Sequence, residues 1–166
     1  MYQIHPLIVM GSGRSGTTWV VDALAEANQL RTIFEPLHPS VSKIGSRYAY
    51  RYIKSGTDEP ELHSFVQSLV SGEFRSIWSD YRVRTDRLYP TLGRLASREK
   101  LKLLVARWRK LIRQRNKYRK EQGRQPIIKF IRANLMAGWI RSEFNARIVV
   151  IVRHPGSVIA SKMHLG

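Results

Sequence analysis

The stretch that decides the fold is IHPLIVMGSGRSGTTWVVDALAEAN, residues 4–28. Residues 4–10, with four consecutive apolar residues at 7–10, predict a parallel strand that is buried on both faces. A glycine-rich loop follows at once, and then apolar residues recur with helical spacing over about residues 17–28. A strand, a glycine loop and a helix in this order open a phosphate-binding βα unit. We therefore predict that an anion binds at the amino end of the first helix, although an ordinary βα turn is the alternative.

The loop departs from an ordinary P-loop at one position. Gly11 and Gly16 keep the spacing of GxxxxGK[ST], but Thr17 stands where that motif has its lysine. The basic residue is Arg14, inside the loop. NTPases also need an acid near a strand end to hold Mg²⁺, whereas the most apolar later strand is followed by Arg153. Both departures predict a site that contacts its anion directly, without a metal.

Strands and helices alternate along the rest of the chain. The predicted strands are 31–34, 127–131 and 147–152, and the predicted helices are 61–71, 97–121, 133–144 and 157–164. Residues 37–60 are predicted to be loop, and the pattern over 74–95 is ambiguous. The alternation predicts an α/β fold with a mainly parallel sheet and right-handed crossovers. Ligands of such sheets bind at the carboxyl ends of the strands.

The composition excludes several kinds of site. A chain of 166 residues suggests one domain with a hydrophobic core. It contains no cysteine, which excludes disulfides, thiolate metal sites and a cysteine nucleophile. The five histidines lack HxH or HxxxH spacing, so no zinc site is expected. The N-terminus resembles neither a signal peptide nor a membrane anchor, and we expect a cytoplasmic protein.

The positive charge is concentrated in one segment. The formal net charge is +17, and residues 94–124 hold thirteen Lys/Arg against two acids, which is 13 − 2 = +11. Within them, residues 97–121 predict a long amphipathic helix. Its basic face is either solvated, with the apolar stripe packed on the domain, or it contacts an anionic surface. A polyanionic acceptor and an acidic membrane are the candidate partners, and nucleic acid is the least expected.

Three segments resemble the sulfotransferase family, in that family's order. Residues 13–19, GRSGTTW, resemble its 5′-phosphosulfate loop. Residues 34–38, FEPLH, resemble the Glu-Pro element of carbohydrate and tyrosylprotein sulfotransferases. Residues 153–161, RHPGSVIAS, resemble the 3′-phosphate motif, in which a serine follows an arginine by eight residues. The resemblance covers about residues 4–40 and 127–166 and implies a P-loop-like, three-layer α/β/α fold. We predict a single domain over residues 1–166, in which the basic helical segment at about 94–124, which matches none of these motifs, is an insertion.

The resemblance also implies a donor, 3′-phosphoadenosine-5′-phosphosulfate (PAPS), and residues that bind it. Those for the 5′-phosphate and sulfate are Gly13, Arg14, Ser15, Gly16, Thr17 and Thr18, and those for the 3′-phosphate are Arg153 and Ser161. Trp19 stacks on adenine or, alternatively, packs in the core. The acceptor offers a hydroxyl or an amine, a glycan being one candidate, and no metal takes part.

Two residues are expected to carry the chemistry. Arg14 lies beside the leaving group, and because arginine keeps its proton we assign it electrostatic stabilisation of the transition state. Glu35 is the candidate general base, with a helix-capping or salt-bridged carboxylate as the alternative. Cytosolic family members use a histidine in a Lys-Thr-His segment, but the nearest match here has Ile131 at that position. This difference favours the glycan and tyrosine branch.

Two other functions stay open at this point. One is a kinase or NTPase with an altered P-loop, and the other is a non-catalytic module that binds polyanions or membranes. Family members are longer, and their later segments complete the adenine pocket and the acceptor site. We therefore expect an N-terminal portion of a sulfotransferase that does not turn over by itself, or else a short relative that a partner chain completes.

Overall fold

The computed structural model describes residues 5–74, 76, 79–80, 105–106, 108–109, 112–113, 116, 121 and 123–164. The strands of this part of the chain are β1 (Leu7–Gly11), β2 (Arg31–Phe34), β3 (Pro126–Phe130) and β4 (Arg147–Ile151). The helices are α1 (Thr17–Ala27), α2 (Lys43–Tyr48), α3 (Pro60–Ser71), α4 (Ala137–Phe144) and α5 (Pro155–Met163). A 3-10 turn, Asn134–Met136, precedes α4.

The four strands form one parallel sheet in the order β2-β3-β1-β4. β1 lies between β3 and β4, so that Ile8 is paired with Ile128 on one side and with Ile148 on the other. The predicted α/β fold is therefore confirmed. Because the strands are parallel, their carboxyl ends, and the loops that follow them, meet at one edge of the sheet.

The two faces of the sheet are covered by different helices. Ile8 and Met10 face a cluster that includes Phe65 of α3 and Trp139 of α4. Val9, between them in sequence, points to the other face, where it joins a smaller cluster with three apolar residues, Val21, Ala25 and Leu30, of which two belong to α1. Since neighbouring side chains of a strand point to opposite faces, the run of apolar residues in β1 serves both layers. The arrangement is three-layered, with α1 on one face and α3 and α4 on the other.

One segment that the sequence predicts as loop contains a helix. Residues 37–60 include α2, Lys43–Tyr48, whose amino end is capped where the Ser42 side chain accepts a hydrogen bond from the Gly45 amide. The loop prediction, which was based on Pro39, Gly45, Gly56 and Pro60, was wrong for this part of the stretch. A Cβ at Gly45 would lie 2.6 Å from the carbonyl oxygen of His38. The glycine therefore allows close packing of the helix on the preceding backbone.

The other predicted elements lie close to their observed positions. The helix predicted over 133–144 is a 3-10 turn followed by α4, and the helix predicted over 157–164 begins two residues earlier, at Pro155. Proline is favoured in the first turn of a helix, where its missing N–H has no partner to lose. Most of the ambiguous stretch 74–95 lies outside the described residues.

Part of the predicted basic helix is described. Its described residues are helical, namely 105–106, 108–109, 112–113, 116 and 121, and the rest of 97–121 lies outside the described residues. Val105, Trp108 and Ile112 belong to the predicted apolar stripe and are 43%, 64% and 54% exposed. These three side chains therefore do not form part of the core. In the described part of the chain, no helix combines the length and apolar character needed to cross a membrane.

Arg31, the first residue of β2, is buried and supports the end of α3. Its guanidinium NH2 donates to the carbonyl oxygens of Leu69 (2.9 Å) and Val70 (3.4 Å). These carbonyls belong to the last turn of α3, which has no further intrahelical donors for them. Arg31 is 4% exposed, so its bonds replace those that water would otherwise make.

Gly11, the last residue of β1, is surrounded closely by its neighbours. A Cβ at this position would lie 2.7 Å from the carbonyl oxygen of Ile151 and 2.9 Å from side-chain atoms of both Ser15 and Thr17. Its φ of +155° is also one that residues with a side chain rarely adopt. At Gly13, by contrast, an added Cβ would meet only Ile131, at 3.9 Å.

We predict that Arg31→Leu lowers the free energy of unfolding by about 1–3 kcal/mol, because the α3 carbonyls would lose their buried donor. Urea unfolding of the chain measures it. Arg147→Leu is the control, since Arg147 also begins a strand but is exposed, and it should change stability by less than about 0.5 kcal/mol. Equal stability of the two variants would show that the Arg31 bonds add nothing.

We predict that Gly11→Ala destabilises the fold by about 2 kcal/mol or more, because the new methyl group would press on the β4 backbone. Gly13→Ala should change unfolding by less than about 1 kcal/mol, since the space around it is sufficient. Thermal unfolding of the two alanine variants side by side tests the difference. A wild-type transition for Gly11→Ala would contradict the packing argument.

Candidate active site

The glycine loop, residues 12–16, connects β1 to α1 in a tight turn. The backbone N–H and the hydroxyl of Ser15 both donate to the carbonyl oxygen of Ser12, at 3.2 and 2.7 Å. Arg14 and Gly16 have φ values of 71° and 94°, in the left-handed region. Gly16 precedes α1 and makes no side-chain capping bond. The N-cap residue therefore supplies no side-chain acceptor to the first N–H groups of α1. A helix amino end of this kind attracts anions.

The two predicted phosphate motifs meet in space. The Arg14 Nε atom donates to the Ser161 Oγ atom at 3.0 Å, although 147 residues separate them. The NH1 atom of Arg153 donates to the carbonyl oxygen of Arg14 at 3.2 Å. The cause is topological: the loop leaves the carboxyl end of β1, and residues 153–161 follow the carboxyl end of the adjacent strand β4. Two segments that are predicted to bind opposite ends of one donor are thus in contact, and the arginines of both, Arg14 and Arg153, are exposed.

The remaining loop residues differ in their exposure. Ser15 and Thr17 are 5% and 2% exposed, so their side chains support the loop from within. Thr18 is exposed, and its Oγ1 atom accepts a hydrogen bond from the Lys129 Nζ atom at 2.9 Å. Trp19 is 75% exposed. The alternative in which Trp19 packs in the core is therefore wrong, and its ring is accessible to a ligand.

Glu35 follows β2 and is held by two cations. Its Oε1 atom lies 2.7 Å from the Lys129 Nζ atom, and its Oε2 atom lies 2.6 Å from the Arg132 NH1 atom. The residue is 7% exposed, and its backbone N–H donates to the carbonyl oxygen of Lys129 at 3.1 Å. Glu35 is thus salt-bridged, as one interpretation of the sequence expected. Its φ of 43° is unusual for a residue with a side chain and places it in the tight turn that ends β2.

Sequence reasoning missed the importance of Lys129 and Arg132. Lys129 is 4% exposed within a strand whose five residues are all buried, and it also lies 4.2 Å from the ring centroid of Phe34. A buried charge is costly unless it is paired, so a lysine inside an apolar strand was a usable signal. Through Glu35 and Thr18, Lys129 connects β2, β3 and the first turn of α1.

Tyr50 lies beside this cluster. Its backbone N–H donates to the carbonyl oxygen of Arg132 at 2.7 Å, and the Arg132 guanidinium lies 5.9 Å from its ring centroid. Tyr50 has a φ of 64° and is 62% exposed. An exposed aromatic ring is thus held next to the guanidinium that pairs with Glu35.

A cavity of about 370 Å³ is formed elsewhere and shares no lining residue with this cluster. It is lined by Gly56, Thr57, Asp58, Glu59, Pro60, His63, Ser64, Trp139 and Glu143. Its three carboxylates would repel an anionic ligand. We therefore place the candidate site at the glycine loop. Among the described residues, no three His, Asp or Glu side chains are grouped so that they could hold a metal ion.

Comparison with known proteins agrees with this geometry. The model of the sulfotransferase family matches residues 6–166 of the chain. Comparisons with the curated proteins and with the solved structures give no match. The matched range includes the four strands that the structure describes, the glycine loop, Glu35 and the segment that begins at Arg153. The chain therefore belongs to the sulfotransferase family.

Proposed function

We propose that this site binds PAPS and takes part in moving its sulfuryl group to an acceptor hydroxyl. The observation that carries the proposal is the pair of contacts that join Arg14 to Ser161 and Arg153 to the Arg14 carbonyl. They join the glycine loop that leads into α1 to Arg153, just before α5, and to Ser161 within α5. A donor with phosphate groups at both its 3′ and 5′ positions needs two anion sites close together.

The residues at the loop suit such a donor. The amino end of α1 and Arg14 are suited to the 5′-phosphate and the sulfate, because helix N–H groups and a guanidinium both favour anions. Arg153 and Ser161 are suited to the 3′-phosphate, the arginine by a charge-assisted fork and the serine by its hydroxyl. Trp19, with its exposed ring, is suited to stack on adenine.

In sulfuryl transfer, Arg14 and Glu35 have separate roles. A bond forms between the acceptor oxygen and sulfur while the bond between sulfur and the bridging phosphate oxygen breaks. The electron pair of that bond stays on the phosphate, which leaves as adenosine 3′,5′-bisphosphate. Arg14 stabilises the negative charge that grows there. Glu35 accepts the proton that the acceptor hydroxyl loses.

The ion pairs of Glu35 are compatible with this role. Lys129 and Arg132 each engage one carboxylate oxygen, at 2.7 and 2.6 Å. Each oxygen of a carboxylate has room for about two hydrogen bonds, so one position on each is left for an acceptor hydroxyl. The same two cations fix the direction in which the carboxylate points, as catalysis by a positioned base requires.

The acceptor side of the proposal is a carbohydrate. Tyr50 offers an exposed aromatic face next to Arg132, and a sugar ring has both an apolar face and hydroxyl groups for such a pair. The described basic residues Arg109 and Arg113 are exposed as well. With the high positive charge of residues 94–124, they support contact with an anionic surface or a polyanionic acceptor.

We predict that the chain binds adenosine 3′,5′-bisphosphate more tightly than ATP with Mg²⁺, and that Arg153→Ala weakens this binding about tenfold or more by removing a charge-assisted fork. Isothermal titration measures both. Arg147→Ala, at the opposite end of β4, is the control and should bind as the wild type does. Preference for ATP with Mg²⁺ would overturn the proposal in favour of a P-loop NTPase.

We predict that Glu35→Gln lowers kcat at least about a hundredfold, because the amide cannot accept the acceptor proton. The measurement is turnover in the complete, active protein, with donor affinity and unfolding temperature recorded for the same variant. Near-normal turnover would end the assignment of Glu35 as the base. Loss of donor affinity or of the folded state in parallel with turnover would assign Glu35 to the support of Lys129 and Arg132 instead.

A further inference from the structure

The side chain of Asn134 makes three hydrogen bonds where the glycine loop begins. Its Oδ1 atom accepts from the Gly11 amide at 3.1 Å, and its Nδ2 atom donates to the Gly11 carbonyl oxygen at 3.2 Å. The same Nδ2 atom also donates to the carbonyl oxygen of Ile131, at 3.3 Å. Asn134 is the first residue of the 3-10 turn after β3, and 123 residues separate it from Gly11.

These bonds take the place of the next backbone pairing between β1 and β3. The pairing of β1 with β3 ends at Met10 and Phe130, whereas the pairing of β1 with β4 continues to Gly11 and Ile151. On its β3 side, Gly11 would therefore lack a partner for its N–H and C=O. A carboxamide has both a donor and an acceptor, so Asn134 supplies what the next β3 residue does not. Buried backbone groups of this kind are costly when left unpaired.

The position of Gly11 makes this clamp important for the site. Gly11 is the residue from which the loop leaves the sheet, and its space is already limited by Ser15, Thr17 and the β4 backbone. The segment that carries Asn134 also carries Arg132, which binds Glu35. Asn134 thus joins the backbone of the donor loop to the segment that holds the carboxylate.

We propose that Asn134 is a positioning residue, which holds the glycine loop in the form that binds the donor and sets its place relative to Glu35. The inference rests on the proposed function of the loop as the donor site. Asn134 acts through the backbone of Gly11, and it takes no proton and bears no charge. Its contribution is that the N–H groups of the loop and of α1 are oriented before the anion arrives, which lowers the ordering cost of binding.

The test compares Asn134→Leu, which keeps the approximate size of the side chain but makes no hydrogen bond, with the smaller Asn134→Ala. We expect both variants to bind adenosine 3′,5′-bisphosphate about tenfold or more weakly at a temperature where they are folded. Asn28→Ala is the matched control, since the Asn28 amide also donates to a backbone carbonyl, that of Leu24 at 3.0 Å, at the far end of α1. It should bind as the wild type does.

A second readout does not depend on the ligand. In the ligand-free variants, hydrogen exchange at the Gly11 amide should accelerate, while exchange at the Val9 amide within β1 should not change. In the complete, active protein the same variants should raise the KM for the donor more than the KM for the acceptor. A change confined to overall stability would not produce either pattern.

The possible outcomes distinguish a positioning role of Asn134 from a general support of the fold. Wild-type affinity together with unchanged hydrogen exchange at Gly11 in Asn134→Leu would overturn the positioning role. Loss of folding in both variants would also overturn it, because the Asn134 bonds would then be general supports of the fold. If the wild-type chain does not bind adenosine 3′,5′-bisphosphate, the proposed function fails. Accelerated Gly11 exchange alone would then show that Asn134 still holds the loop.

Discussion

The close approach of Gly11 to its neighbours is the constraint on which the rest of the site depends. Because Gly11 has no Cβ, β1 can pass close to the carbonyl of Ile151 and turn at once into the loop. The side chains of Ser15 and Thr17 then pack close to Gly11. Because the turn is this tight, α1 starts directly at the edge of the sheet. Its amino end is therefore directed to the place where the segment after β4 also arrives. The short distance between the two predicted anion sites follows from that geometry.

Charge is distributed around this edge in a way that suits an anionic ligand. Arg14 and Arg153 lie on the loop side, and the described cations Lys129 and Arg132 lie on the β3 side, where they share Glu35. Removing the Lys129 ammonium group from water is costly, and its ion pair with Glu35 offsets that cost. The exposed arginines, Arg14 and Arg153, donate instead to neutral oxygens, those of the Ser161 hydroxyl and of the Arg14 backbone.

The fold class and the family were predictable from the sequence because they depend on short-range patterns. The apolar run of β1, the helical spacing of α1 and the order of the three motifs indicated a parallel α/β fold and a sulfotransferase, and the family match over residues 6–166 agrees. Where a pattern had two physical causes, the prediction was less secure. Gly45 resembled a helix breaker but serves packing in α2, and Trp19 had equal reasons to be buried or exposed. The assigned roles of Arg14, Glu35, Arg153 and Ser161 stay predictions.

By itself the sequence determined the fold class and the family, since these follow from short motifs and from the local spacing of apolar residues, and it predicted that the glycine loop binds an anion. The tertiary structure decided which distant residues meet. Lys129 reaches Glu35 across 94 positions, and Asn134 reaches Gly11 across 123. No local pattern marks such pairs, because they are created by the strand order β2-β3-β1-β4, which places β3 between β2, the strand that Glu35 follows, and β1, the strand that ends in Gly11.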